Sequence, residues 1–125
     1  MTTHCLRSII VAMLTLTILC TSATAGVEIV EIRKVQIAKG LTGIVCDPSG
    51  TPLPGVQVEE VSSDWQTVLQ TTSTGANGHF TIKPTSREKM YYLVFYLKNF
   101  NPMRIRVKIR SDSKRELSLR LEFGT

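Results

Sequence analysis

Helical periodicity is missing from this chain: no stretch of ten residues places apolar side chains at three- and four-residue spacing. That excludes a helical bundle and any α/β fold built on crossover helices. Histidine is scarce, and beyond His4 only His79 is available. A single imidazole beside scattered carboxylates assembles neither a zinc constellation nor a general acid–base network. Cysteine is equally thin, because Cys5 and Cys20 lie in the amino-terminal segment and leave Cys46 alone. No internal disulfide is then possible past residue 25, and a lone thiol between Val45 and Asp47 reads as a small strand residue. Glu59 and Glu60 are neighbours, so on a strand they point to opposite faces and cannot work as a paired acid and base. Asp47 and Asp64 are too far from other carboxylates to supply the six or more oxygens that calcium takes. The expectation is a protein with no catalytic residues, no metal and no cofactor.

What is present begins at the amino terminus. His4 and Arg7 form a weakly basic opening, Ile9 to Cys20 is an apolar run, and Ala23-Thr24-Ala25 closes with small side chains. This is the three-part layout of a secretory signal, with the cut placed after Ala25. The segment has two rival readings, an uncleaved membrane anchor and a lipoprotein signal acylated at Cys20. The run is shorter than the ~20 residues of a spanning helix, and Leu19 stands where a lipidated cysteine is preceded by a small residue. The layout expected is therefore a signal peptide over 1–25, a single domain over 26–125 and an exported protein, secreted or held in the periplasm or cell envelope.

Past residue 25 the chain reads as strands separated by turns. Val27 to Ala38 is rich in Val and Ile but breaks its alternation, as a bulged strand does. Leu41 to Cys46 precedes the turn residues Asp47-Pro48-Ser49-Gly50 and Pro52-Leu53-Pro54-Gly55. Val56 to Val61 and Thr67 to Thr72 flank a break at Ser62-Ser63-Asp64. Asn77-Gly78 has the chemistry of a type I′ hairpin turn leading to Phe80 and Ile82. Tyr91 to Leu97 is apolar at nearly every position, which suits a central strand. Met103 to Arg110 and Glu116 to Phe123 alternate strictly. Joined as an antiparallel hairpin, they would set Ile109 opposite Leu117, Val107 opposite Leu119 and Ile105 opposite Leu121, with Arg110 facing Glu116 and Arg104 facing Glu122. The fold class expected is all-β, an antiparallel sandwich of seven or so strands.

Two stretches also resemble a known family. Leu41 to Val58 reads LTGIVCDPSGTPLPGVQV and Thr74 to Ile82 reads TGANGHFTI. These are similar to the carboxypeptidase regulatory-like domain, a transthyretin-like, or prealbumin-like, β-sandwich. Gly43, Val45, Asp47, Gly50, Pro52, Leu53, Pro54, Gly55 and Val56 match the first motif, and Thr74, Gly78 and Phe80 the second. Gly75 departs from the family's usual aspartate, and Lys98-Asn99-Phe100 replaces a glycine–aromatic pair. The resemblance implies an accessory module without catalytic residues.

Charge supplies the remaining candidates. Residues 26–82 carry three basic and six acidic side chains, whereas 83–125 carry eleven and four. Within that basic third, Arg104, Arg106, Lys108 and Arg110 recur every second residue, a ridge of about 20 Å on an extended strand. It reads either as a surface for an anionic ligand or as a solvated outer face that blunts sheet pairing. Trp65 reads either as a sugar-stacking ring or as a cap on the core. The expected partner is a protein or a cell-envelope polymer. Nucleic acid is disfavoured by export and by the lack of stacking aromatics on the basic strand, and membrane contact would be peripheral at most. A minimal hydrolase would have to depend on His79 or Cys46.

Overall fold

The computed structural model describes residues 28–124, so the signal segment and its cut lie outside the described residues. Nine strands follow in order: β1 Val30–Glu31, β2 Gln36–Ala38, β3 Leu41–Cys46, β4 Gln57–Val61, β5 Val68–Ser73, β6 His79–Ile82, β7 Tyr91–Tyr96, β8 Met103–Ile109 and β9 Leu117–Arg120. They form two sheets. The larger runs β1-β8-β7-β4-β5, with β2 also paired to β8, and the smaller runs β6-β3-β9. The all-β sandwich is as expected, and the strand count is higher partly because the amino-terminal strand is split. From Glu31 to Gln36 the chain advances five residues while its partner advances three, from Arg104 to Val107, so the break absorbs two extra residues.

Period-two patterning builds the core. Leu41 and Val45 of β3, Phe80 and Ile82 of β6, and Leu117 and Leu119 of β9 face Val58, Leu93, Phe95, Ile105 and Val107 of the larger sheet, all buried. Phe80 and Phe95 meet edge to face across the two sheets, with centroids 5.4 Å apart. Full burial of each such side chain contributes roughly 1.5–3 kcal/mol. Glu60 is buried on the same inner face at the sandwich margin. Its carboxylate accepts hydrogen bonds from Gln70 Nε2 at 2.7 Å and Thr85 Oγ1 at 3.2 Å, tying β4 to β5 and to the loop before β7.

Two pairings differ from expectation. β8 and β9 are not a hairpin: β9 crosses to the smaller sheet and runs parallel to β3, with Gly43 opposite Leu117 and Val45 opposite Leu119. The edge of β8 that β9 would have taken is filled by β1 and β2, also parallel. Alternation fixes which face a strand buries but not which sheet it joins, and either sheet satisfies the leucines of β9. The expected charge pairs dissolve with the hairpin. Arg104 meets Glu31, Arg110 meets Asp112, and Glu116 meets Lys39.

Asn77-Gly78 does not turn a hairpin either. β5 ends in the larger sheet and β6 begins in the smaller, antiparallel to β3. Gly78 has φ of 78°, whereas Asn77 is not among the non-glycine residues with positive φ, so the type I′ geometry is not formed.

The β3–β9 contact admits no side chain at Gly43. A Cβ there would lie 2.1 Å from the Leu117 carbonyl oxygen, whereas one at Gly40 would meet nothing within 4 Å. Gly43→Ala is therefore expected to lower unfolding free energy by about 3 kcal/mol or more, the upper range for overpacking. Gly40→Ala should stay within about 0.5 kcal/mol of wild type. Urea denaturation of both variants checks this.

Candidate functional site

The solvent side of the larger sheet gathers the candidate residues. Register sets Arg104 beside Val94 and then Glu59, and Arg106 beside Tyr92 and then Val61. Val61 and Val94 point outward yet are buried, at 4% and 7% exposure. An outward apolar residue stays dry only when something lies over it, and the β4–β5 loop brings Trp65 to this face.

The loop is shaped by short-range hydrogen bonds. Ser62 N donates to Thr67 O at 2.9 Å and Thr67 N donates to Ser62 Oγ at 3.0 Å. Asp64 Oδ1 accepts from Ser62 Oγ and from Gln66 N, the latter at 3.0 Å. The Ser62 hydroxyl first, then the Gln66 amide, hold the Asp64 carboxyl below its ordinary value of 3.8. Trp65 takes φ of 66°, a left-handed conformation costly for a bulky side chain. That backbone turn carries the indole onto the sheet. Its ring meets Tyr92 edge-on at 5.1 Å, and the Arg104 guanidinium lies 4.7 Å from the ring centroid. Trp65 thus covers the outer face of the sheet rather than the end of the core, and one face of its ring is occupied by a cation.

The four cations of β8 have different surroundings. Arg104 is 30% exposed; its Nη2 reaches Glu31 Oε2 at 3.4 Å, and its Nε is buried without a partner among the described residues. Arg106 Nη2 donates to the Arg33 carbonyl. Lys108 is exposed and has no ion pair among the described residues. Arg110 forms a fork with Asp112, Nε at 3.2 Å and Nη2 at 3.0 Å, on the exposed rim. Exposed pairs of this kind contribute about 0–1 kcal/mol to stability; with Glu31 beside Arg104 and Asp112 beside Arg110, the ridge's charge outside ion pairs is carried, among the described residues, by Arg106 and Lys108. Glu59 lies two strands away; burial first and then its charge push the Tyr96 phenol above 10.0.

Other candidates do not converge on this face. His79 and Cys46 lie on the outer face of the smaller sheet. His79 pairs with Ile44, and Cys46 is two residues further along β3. Such diagonal neighbours stand roughly 7–8 Å apart, and among the described residues neither side chain is hydrogen-bonded to the other or to a third group that would orient it. Among the described residues no group of three or more His, Cys, Asp or Glu is placed to hold a metal ion. Sequence reasoning missed Tyr92 and Glu31 as members of the cluster. The outward parity of Tyr92 was available as a signal, but the pairing of β1 with β8 was not.

The turn motifs serve the scaffold. Asp47 Oδ1 accepts from Ser49 N at 2.9 Å and Thr51 N at 3.0 Å, closing the turn after β3. Thr74 Oγ1 donates to Leu53 O at 2.6 Å and accepts from Val56 N at 2.9 Å. Through it the Pro-Leu-Pro-Gly turn is bound to the chain leaving β5. A Cβ on Gly78 would lie 2.7 Å from the Val45 carbonyl oxygen.

Two packed sheets tied at these turns define a β-sandwich module. The chain belongs to the carboxypeptidase regulatory-like domain family, whose model matches residues 40–122. No curated protein matches it.

Two outcomes follow from the loop. Trp65→Gly should be more stable than Trp65→Ala by about 1 kcal/mol, since glycine accepts positive φ; thermal melts compare them. The unfolded Asp64 carboxyl takes up its proton near 3.8 and the folded one only at lower pH, so the loop's share of stability is present above 3.8 and lost as pH falls through the folded value. Emission from Trp65, the chain's one tryptophan, should shift in that acid window, and Asp64→Ala should show the acid-form emission at neutral pH.

Proposed function

We propose that this protein is an exported, non-enzymatic accessory module that holds an anionic partner, an envelope polymer or a protein, on the outer face of its larger sheet. Export rests on the signal layout of residues 1–25, and the absence of chemistry rests on family membership and the separation of His79 from Cys46. One observation carries the choice of face. Arg104, Arg106 and Lys108 project from one strand beside Trp65 and Tyr92, a ridge of positive charge next to aromatic surface. Charge of one sign raises the local concentration of an oppositely charged ligand, and the ring faces add short-range contact.

The test is retention of the purified chain on polygalacturonate, polyphosphate and anionic vesicles, against an Arg106→Ser/Lys108→Ser variant. Wild type should bind at least one of these polyanions. The variant should bind it roughly tenfold more weakly at low salt, a loss of about 1.4 kcal/mol. The gap should close as salt shortens the screening length to 8 Å and below. Equal binding of both proteins at every salt concentration would remove the face from consideration.

A further inference from the structure

The Arg104 fork has one donor satisfied and one left over. The Arg104 guanidinium carbon lies over the Trp65 ring, 4.7 Å from its centroid. Along the Nε–Nη2 edge of the fork, Nη2 reaches Glu31 at 3.4 Å, a long contact, while the adjacent Nε is buried with no partner among the described residues. A buried donor left unpaired is costly, and Nε–H with Nη2–H is the edge that a planar carboxylate fills with both oxygens. Glu31 sits on β1, a two-residue strand at the sheet margin, where a side chain can yield its place.

Resting on the anionic-partner reading above, we propose that Arg104, Trp65 and Tyr92 form a subsite for a uronate residue of an acidic polysaccharide. Glu31 is its built-in competitor. The sugar carboxylate displaces Glu31 and bridges Nε and Nη2 of Arg104. The apolar face of the pyranose ring packs against one of the two rings, which stand perpendicular to each other, and Arg106 and Lys108 meet the carboxylates of neighbouring sugars. One feature favours this ligand over a phosphate or a lipid headgroup. The Arg104 edge takes either oxyanion through two oxygens, but the adjoining rings suit a C–H face that a bare phosphate does not offer. The polymer's repeated charge also matches cations recurring along β8.

Trp65 is the chain's one tryptophan, so its emission reports this subsite directly. The purified chain is titrated with oligogalacturonate and, in parallel, with a neutral oligosaccharide of equal length, inorganic phosphate and phosphatidylglycerol vesicles. The result expected is a saturable change in Trp65 emission with oligogalacturonate alone. Glu31→Gln should then bind severalfold more tightly, and Arg104→Lys at least tenfold more weakly, because an ammonium cannot bridge both oxygens. Should Arg104→Lys fail to fold, judged by its melting transition, the sign of the Glu31→Gln change decides. Oligogalacturonate binding that leaves Trp65 emission unmoved, or that Glu31→Gln weakens or does not alter, overturns the subsite. If that binding still falls in Arg106→Ser/Lys108→Ser, the anionic-partner reading survives alone. Binding of phosphate or vesicles without oligogalacturonate overturns the uronate assignment and keeps the basic face. No binding to any of the anions overturns both.

Discussion

The approach of β9 to β3 at Gly43 is the constraint on which the sandwich rests. With Cys46 the one thiol among the described residues, no covalent tie spans the sheets, and cohesion comes from leucine, valine and phenylalanine side chains meeting between them. Those side chains interlock only if β9 lies close enough for Leu117 and Leu119 to enter the core, and the Leu117 carbonyl fits because Gly43 has no side chain. The turns around Asp47 and Thr74 then hold β3 and β4 in separate sheets at fixed spacing. The matching motif residues describe this joint: Gly43, Gly78, Asp47 and Thr74 settle backbone paths between the sheets.

The larger sheet is wrapped on both sides to different degrees. The buried part of its inner face is aliphatic and aromatic, with Phe95 and Tyr91, apart from Glu60, whose hydrogen bonds are supplied locally. Its outer face carries two buried valines, Val61 and Val94, and on that same face Trp65 packs against Tyr92 and Arg104. Tryptophan in a left-handed conformation carries a cost, and the indole so placed meets both Arg104 and Tyr92. The indole, phenol and guanidinium come from three separate segments, β4–β5, β7 and β8, so the arrangement exists only in the assembled sheet.

Much of the fold is legible in the residues. Leu41–Cys46 is delimited by Gly40 and the turn after it, Tyr91–Tyr96 reads as central from its continuous apolar run, and the imperfect alternation after Val27 marks the break between β1 and β2. Partner choice is not legible, because the leucines of β9 carry information about a face and none about a neighbour. The same limit governs Asn77-Gly78, whose turn chemistry announces a reversal but not that the chain changes sheets. For the site, the spacing of Arg104, Arg106, Lys108 and Arg110 gives the ridge outright. Trp65 lies in the loop between β4 and β5, four residues past Val61, and no spacing in the sequence directs it onto Arg104.

Both outer segments of the described chain add parallel to strands far away in sequence, β1 to β8 with Glu31 and Arg104 73 residues apart, and β9 to β3. Pairings at that separation form slowly, since loop closure must be met before any contact rewards it. Until Leu117–Arg120 docks, β3 has an open edge and the core around Val45 lacks two of the leucines that close it. The last-added strand of the smaller sheet is therefore also its lock, and the antiparallel ribbon of β4, β5, β7 and β8 can assemble before it.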